Sequence, residues 1–525
     1  MPLTNLIIEM DFGEAILDSL DRPILDSQGR PILDSHWVNV TDDAVVDPIH
    51  IRRGIASADV KDRVADTGTM TLTLNNSAWN SAGLMGYYSL DHSNRRYGFG
   101  NATRARVNMV RSSNYYKYQG RLADINIESG LLGQKRTYVT AVDWMDVAAR
   151  TPMPRLPIQQ DARDDQVIQT ILNEISERPV STSLAMGGYS YPYALTDVRE
   201  GETKIVGALS SLMMSGLGRV FVRGGLTSGE VLTYMSIYDQ VDLDTLLPIA
   251  VFSDSMLKTN ARRRAFQRIK RAVVRVYPMQ AGSSLVTLYS LAKSIRIPPG
   301  QSVTFTGTYT DPNTGSSISA LSVQTPVLDV DYRFSSVDGA GNDLNDFVSI
   351  ERFGAGNNGA SVTLMNTGLV EGYLWYYRVQ GYGLYGYDAL DYTAEDNSIP
   401  ESEGGTLEYF MPYQGAYNLA KDYANMFLYW ESGEVTDLDT IEFNGGQSAE
   451  AIDWAVEAEP GTLVEVSESV SGISRLFMVL GYDMEIRSKN DIPVVLYVTP
   501  VLDGAFCRLD VVKQAELDTN AVLGV

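Results

Sequence analysis

The chain has 525 residues and a formal net charge of −23, with 44% hydrophobic and 20% charged residues. Its length indicates roughly three to four domains, and its hydrophobic content excludes a disordered chain. The acidic balance argues against nucleic-acid binding as the main role. The single cysteine, Cys507, excludes an internal disulfide and is predicted to occupy a core position.

Two further features of composition limit the possibilities. No apolar run is long enough to span a membrane, and the start Met-Pro-Leu-Thr-Asn lacks a cleavable signal, so we expect a soluble protein that is not exported that way. Tyrosine is abundant, with 30 Tyr against 14 Phe. Tyrosine suits surfaces that are buried in an assembly, but the general preference of aromatic residues for strands explains the excess equally well.

An internal repeat marks the N-terminal arm, residues 1–35. Ile16–Pro23 and Ile24–Pro31 both begin Ile-Leu-Asp-Ser and end Arg-Pro, and Ile32–Ser35 begins a third unit. Two and a half units are too few for an independent solenoid. We predict an exposed β-ribbon arm or a flexible extension that orders on a neighbour, and an insertion without consequence is the alternative.

Residues 36–150 contain short alternating strands, which are typical of a barrel or sandwich. In the clearest of them, Met70, Leu72 and Leu74 share one face and threonines share the other. Gly and Asn interrupt the pattern at short intervals, which favours antiparallel structure over a parallel sheet. The predicted strands are Trp37–Thr41, Thr67–Asn76, Arg104–Val110, Tyr115–Leu122, Ala123–Ile127 and Thr137–Val142.

Residues 151–276 change to a helical period and predict a small α/β insertion. Val167, Ile168 and Ile171 lie on one stripe of a first helix, and acidic residues stand near its start. The predicted elements are helices over Arg163–Ile175 and Thr203–Ser215, followed by strands Arg219–Val222 and Val231–Met235.

Charge is distributed unevenly along the chain. Basic residues are concentrated between Arg262 and Arg275, whereas Asp388 to Glu468 contains acidic residues and a single lysine, Lys421. Such asymmetry can decide how neighbouring copies pair, although two solvated surfaces remain the alternative. The candidate subunit-interface residues are Arg262, Arg263, Arg264, Arg268, Lys270 and Arg271.

The remaining chain returns to β-structure. Residues 277–400 predict a β-sandwich-like segment, and residues 401–525 predict a helix followed by a second barrel-like set. The predicted elements are strands Ser302–Thr308, Phe347–Glu351, Ala360–Met365 and Leu374–Val379, helix Ala416–Phe427, and strands Thr462–Val466, Leu476–Leu480 and Val494–Val498.

No motif predicts catalysis, a cofactor or a metal ion. Gly354–Gly359 and Gly381–Gly386 match a dinucleotide fingerprint, but extended sequence follows each, so we predict hairpin or loop glycines. The three histidines, His36, His50 and His92, lack zinc-ligand spacing. Carboxylate pairs of the kind that glycosidases use are abundant in so acidic a chain, and the sequence singles out none of them. Four turn acids without calcium-loop spacing are expected to be solvated, although they could bind Ca²⁺: Asp311, Asp329, Asp331 and Asp338.

The order of the motifs at both ends resembles the hub or minor tail proteins at the tip of bacteriophage tails. The N-terminal matches are Trp37–Thr41, Ile51–Gly54, Gly68–Asn76, Tyr118–Arg121 and Thr140–Asp143, and the C-terminal matches are Gly461–Val466, Phe477–Gly481 and Tyr497–Pro500. The resemblance implies a mainly β fold with α+β insertions, in which two barrel-like hub domains are accompanied by a small α/β domain and a β-sandwich-like segment.

The same resemblance implies a non-enzymatic virion protein, made in the host cytoplasm and placed at the tail tip. It implies a homotrimeric ring that bridges the tail tube, the tape-measure protein, the distal tail protein and fibre or spike proteins. A hexameric distal tail protein is one alternative. A β-rich carbohydrate-binding or hydrolysing protein is another, with tyrosines as sugar platforms.

Overall fold

A computed structural model describes residues 5–15, 33–44, 47–237, 239, 247–253, 258–262, 268–431 and 437–501 of the protein. The described chain is mainly β, with 47% strand and 14% helix. This confirms the predicted fold class. Cys507, Arg263, Arg264 and most of the N-terminal repeat lie outside the described residues.

The N-terminal strands agree with the predicted pattern in most places. They are β1 (Asn5–Asp11), β2 (Glu14–Ala15), β3 (Leu33–Asp34), β4 (Trp37–Asn39), β5 (Ile49–Gly54), β6 (Thr69–Asn75), β7 (Arg104–Val110), β8 (Asn114–Glu128) and β9 (Arg136–Val142). β2, just before the repeat, pairs with β3, which lies in the partial third unit, as a short antiparallel ribbon.

Two predictions in this region were wrong. Tyr115–Leu122 and Ala123–Ile127 are one strand, β8, because a register shift between Leu122 and Asp124 lets it continue along β9. Thr41 is not the end of a strand but begins a short 3-10 helix, Thr41–Asp43.

The insertion and the elements that follow it are α1 (Trp144–Arg150), β10 (Gln159–Arg163), α2 (Asp164–Glu174), β11 (Ser181–Leu184), β12 (Ser190–Ala194), α3 (Ile205–Gly216), β13 (Arg219–Arg223), β14 (Val231–Met235), β15 (Ala250–Phe252), β16 (Lys258–Arg262) and β17 (Arg268–Val276). The predicted apolar stripe of α2 is buried, and α3 packs on both α1 and α2. The small sheet β11-β14-β13 completes this core.

The β-rich segment consists of β18 (Met279–Ala281), β19 (Val286–Ser290), β20 (Ile295–Ile297), β21 (Ser302–Thr308), β22 (Ser319–Leu321), β23 (Tyr332–Val337), β24 (Ala340–Asp343), β25 (Val348–Ala355), β26 (Gly359–Asn366) and β27 (Gly372–Gly386). A seven-stranded sheet around β27 and the sheet β21-β26-β25 enclose one core. Gly381–Gly386 lies within β27, so the prediction of a hairpin or loop there was wrong.

The C-terminal part comprises β28 (Leu390–Glu395), β29 (Gly404–Met411), α4 (Tyr417–Glu431), β30 (Asp437–Asn444), α5 (Ala449–Glu457), β31 (Leu463–Glu468), β32 (Ile473–Ile486) and β33 (Pro493–Pro500). β28, β17 and β29 form a small sheet that packs on α4. Trp454 of α5 packs against Phe252 of β15, with ring centroids 4.9 Å apart.

The two predicted barrel-like sets join in a single 13-stranded sheet. Its main path runs β16-β30-β33-β32-β5-β6-β9-β8-β7-β1-β4, with β31 beside β32 and β15 beside β31. The path ends at β16 and β4, so the described strands do not close into a ring. β5 and β32 make the connection, from Ile49 opposite Ile486 to Gly54 opposite Gly481. One hydrophobic core extends under both sets.

Candidate functional site

Three of the predicted interface residues form ion pairs within the chain. Arg268, Lys270 and Arg271 lie on β17. Arg268 approaches Glu403 at 3.5 Å, the Lys270 ammonium approaches Glu401 at 2.7 Å, and Arg271 approaches Glu395 at 3.3 Å. Thus part of the acidic stretch neutralises part of the basic segment of the same molecule.

This pairing leaves limited charge for contacts with another copy. Arg271 is 45% exposed at its side chain, whereas Lys270 is 12% exposed. Arg262 is the last residue of β16, opposite Asp437 on β30. A role for these residues in a subunit interface therefore stays a prediction.

A different constellation brings both ends of the chain together. Arg53, on β5, is fully buried and its Nε lies 3.4 Å from Asp143 Oδ2. Its Nη atoms donate to the carbonyl groups of Lys117 and Gln119, at 3.2 and 3.1 Å. The guanidinium also lies over the Tyr118 ring, 4.3 Å from its centre. A planar guanidinium can make all these contacts at once. We call this region the buried junction: it consists of Arg53, Lys117, Tyr118, Asp143, Glu459 and Tyr482.

Asp143 connects the end of β9 to the start of α1. Its Oδ1 accepts from the backbone N–H groups of Gly68, at 3.0 Å, and Met145, at 3.1 Å, and so caps the helix. Burial raises the pKa of Asp143, while Arg53 and the two N–H groups act in the opposite direction. The carboxylate therefore fixes the turn between the sheet and the insertion.

Lys117 provides the second buried charge of the junction. Its ammonium lies 2.9 Å from Glu459 Oε1 and donates to the Ala458 carbonyl at 2.6 Å. It also lies 4.2 Å from the centre of the Tyr482 ring on β32. Burial lowers the pKa of Lys117, and the Glu459 carboxylate opposes that shift. A strand of the N-terminal set is thus bonded to the loop after α5.

Glu459 extends these contacts to the inserted unit. Its Oε2 accepts from the Gly224 N–H at 3.0 Å. Beside it, Tyr116 and Gly225 exchange two backbone hydrogen bonds of 2.9 and 3.1 Å. Three separate parts of the sequence therefore meet at one carboxylate.

Close contacts explain two glycines next to the junction. Gly54 has φ +89°, and a Cβ atom there would lie 2.3 Å from the Leu480 carbonyl oxygen. A Cβ atom on Gly68 would lie 2.1 Å from Asp143 Oδ2. Only glycine permits these approaches without a shift of the neighbouring strand or of the cap.

A cavity of about 360 Å³ lies next to the junction, lined by Asp143, Trp144 and Glu230 among others. Burial, and then the Asp143 charge, raises the pKa of Glu230 to about 7. The Glu230 carboxylate accepts from the Val180 N–H at 3.2 Å. Two arginines of the wall are already paired, Arg121 with Glu177 at 2.7 Å and Arg150 with Asp146 at 2.9 Å. The raised pKa of the Glu230 carboxyl group therefore follows from its burial beside Asp143 in this wall.

Sequence reasoning quoted several residues in or next to the junction without giving them a role, and it missed others. Arg53, Gly54, Gly68, Tyr118, Asp143 and Gly481 all lie in the matched motifs. Lys117, Glu230 and Glu459 were not identified. The only local signal for Lys117 is its position between two tyrosines of an alternating strand.

Two of the turn acids that could bind Ca²⁺ make hydrogen bonds or an ion pair within the chain. Asp311 accepts from the Asn313 N–H at 3.0 Å and the Thr314 hydroxyl at 2.9 Å, and Asp331 pairs with Arg378 at 2.8 Å. Within the described ranges, no cluster of three metal-ligating side chains is found. Nor does that part of the chain contain a helix long and apolar enough to cross a membrane.

No protein-family profile and no curated protein matches the chain. Among solved structures, it is similar to a tail protein from Neisseria meningitidis, at 8% identity and TM-score 0.45, covering 95% of this chain and 96% of that one. It is also similar to the 43 kDa tail protein of prophage MuSo2 from Shewanella oneidensis, at 9% identity and TM-score 0.45, covering 94% and 98%. A third is prophage tail protein gp18 from Listeria monocytogenes, at 9% identity and TM-score 0.37, covering 94% of each chain. No functional statement follows from similarity at this level.

Proposed function

We propose that this chain is a structural protein of a bacteriophage tail and forms the hub ring at its tip. The observation that carries the proposal is the buried junction. Motif residues from both ends of the chain, Arg53 and Asp143 on one side and Gly481 on the other, meet where β5 pairs with β32. The pattern that the sequence shares with tail-tip hubs therefore corresponds to one buried structural unit.

The junction suits a mechanical role better than a catalytic one. Its charged groups are paired, fully buried and used to connect strands, so they have no access to a substrate. Separating the partners of such a pair would leave an uncompensated charge in the interior. Because this is costly, the connection is hard to deform. An inserted α/β unit and a β-rich segment extend from this sheet, as an adaptor between different neighbours requires.

Apolar hairpin tips supply surface for contacts with other subunits. Leu131 and Leu132, between β8 and β9, are 100% and 96% exposed. Leu369 and Val370, between β26 and β27, are 96% and 54% exposed. Adjacent exposed apolar side chains on a tip are costly in water and gain free energy when a neighbour covers them.

The finer assignment is a homotrimer that connects the tail tube, tape-measure protein, distal tail protein and fibre or spike proteins. Native mass spectrometry of the purified full chain and of assembled tail tips tests it. Three copies per tip support the hub, and six would indicate the hexameric distal tail protein. A lone monomer in intact tips would refute the ring.

A matched pair of variants tests the hairpin contact. Leu131→Ser with Leu132→Ser removes the apolar tip and should shift the purified chain towards monomer. The control, Gln134→Ser, changes an exposed polar residue of the same hairpin and should leave the mass distribution unchanged.

Peptidoglycan and polysaccharide degradation assays address the alternative class, because turnover that one carboxylate substitution abolishes would contradict a purely structural role.

A further inference from the structure

Two arginines share a small cavity away from the buried junction. Arg63 lies before β6 and Arg219 begins β13, and they are 5% and 9% exposed. Their backbones hold them together, since Val220 N–H donates to the Arg63 carbonyl at 2.9 Å and Ala65 N–H donates to the Val220 carbonyl at 2.8 Å. The cavity they line is also bounded by Trp430, Met478 and Pro500.

The two guanidinium groups differ in how far their hydrogen bonds are satisfied. Arg63 donates from Nε to the Tyr409 hydroxyl at 2.9 Å and from Nη1 to the Leu217 carbonyl at 2.8 Å. Among the described residues, Arg219 has one weak contact, from Nη1 to the sulfur of Met478 at 3.8 Å, and its buried Nε has no hydrogen-bond partner there. In the described part of the chain, neither arginine forms an ion pair.

Such an arrangement is unfavourable unless an anion joins it. Burial, and then the neighbouring Arg63 charge, lowers the pKa of Arg219 to about 9. A guanidinium nevertheless remains charged at neutral pH, so two like charges stand together at a site that is largely shielded from bulk solvent. A ligand with one negative charge and two acceptor oxygens would satisfy the free donors.

The size of the cavity limits that ligand. Its volume is about 40 Å³, enough for a few water molecules or one carboxylate group but not for a nucleotide or a sugar. Ile237, Trp430 and Met478 make part of its wall apolar, which strengthens charge-assisted hydrogen bonds inside.

We propose that Arg63 and Arg219 form a carboxylate-binding site at this cavity. The carboxylate is a free small acid or the side chain of an Asp or Glu residue on another protein chain. Both sources present the same two oxygens to the same donors. The site is separate from the proposed tail function, and either proposal can fail without the other.

Thermal unfolding of the full chain tests the site. Sodium acetate, compared with sodium chloride at equal ionic strength, should raise the transition midpoint in a saturable manner, by roughly 2 °C at ten times the dissociation constant. A second arm uses a capped Gly-Asp-Gly peptide. Stabilisation by acetate as well as peptide indicates a site open to free acids, and stabilisation by the peptide alone indicates a protein-borne side chain. Failure of both to exceed chloride overturns the proposal.

Two variants make the result specific to the site. Arg219→Met removes the poorly satisfied charge, so it should raise the midpoint in acetate-free buffer and abolish the acetate effect. Arg104→Met removes an exposed arginine, with the same change of net charge, and should retain that effect. An acetate effect that persists in Arg219→Met would overturn the proposal. If Arg219→Met does not fold, Arg219→Lys replaces it. A lysine cannot donate two parallel hydrogen bonds to one carboxylate, so the dissociation constant for acetate should then rise at least tenfold.

Discussion

Replacing one partner of the ion pair between Lys117 and Glu459 should destabilise the fold strongly, whereas replacing both partners together should cost much less. Both side chains are buried, at 0% and 1% exposure, and their charged atoms are 2.9 Å apart. Within the described residues, Lys117→Met leaves the Glu459 carboxylate in the interior with the Gly224 N–H as its remaining hydrogen-bond donor. The expected loss is about 3–5 kcal/mol of unfolding free energy, typical of breaking a buried pair.

The double variant Lys117→Met with Glu459→Gln should recover much of that loss. A glutamine carbonyl can still accept from Gly224, and no charge then remains unpaired at this position. The sum of the two single losses should therefore exceed the double loss by several kcal/mol, on the order of 2–4 kcal/mol.

Urea unfolding, followed by tryptophan fluorescence, measures these differences, because Trp454 packs in the core of the large sheet. Arg111→Met with Asp453→Asn, a more exposed pair that also spans the two ends, serves as the control and should show a coupling of about 1 kcal/mol or less. Additive effects at Lys117 and Glu459 would refute the argument that burial makes the pair indivisible.

Three further predictions concern other parts of the chain. Asp164, held by the hydroxyls of Tyr191 and Tyr234 at 2.6 and 2.8 Å, has its pKa raised by burial from 3.8 to about 6. The folded state therefore binds the proton more tightly, so stability should fall by about 2 kcal/mol as pH rises from 4 to 6, and Asp164→Asn should remove that part of the pH dependence in urea titrations. Gly54→Ala should lower the unfolding midpoint much more than Gly130→Ala, because both have positive φ but only the first would meet backbone atoms; equal losses would contradict this. Exchanging Arg262, Arg263 and Arg264 for Glu should slow oligomer formation most at low salt, as measured by light scattering, and a salt-independent effect would exclude steering by charge.

Sequence reasoning worked best where one face of an element is buried. The alternation of Ser302–Thr308 gave the bounds of β21, and the apolar stripe of α2 was placed within a residue or two at each end. It failed for β8, since a bulge that keeps a strand continuous depends on its partner β9. Local pattern contains no information about such partners.

The junction shows the same limit more strongly. Lys117 reads as an exposed lysine of a strand, because its burial depends on Glu459, which is remote in sequence but adjacent in the fold. The predicted basic and acidic segments were likewise candidates for contacts between subunits, although Arg271 and Glu395 are neighbours on paired strands. Charge patterns identify complementary segments without indicating whether they meet within one chain or between two.

The pairing of β5 with β32 also has a consequence for synthesis. While a ribosome makes the chain, β5 leaves the exit tunnel long before β32 exists, and β6 is then its available neighbour in the final sheet. At a synthesis rate of roughly 5–20 residues per second, the other edge of β5 stays unpaired for tens of seconds. During that interval the exposed edge can pair with other nascent chains. A chain that terminates before β32 leaves this edge of β5 without its partner, so the large sheet stays incomplete in unfinished copies.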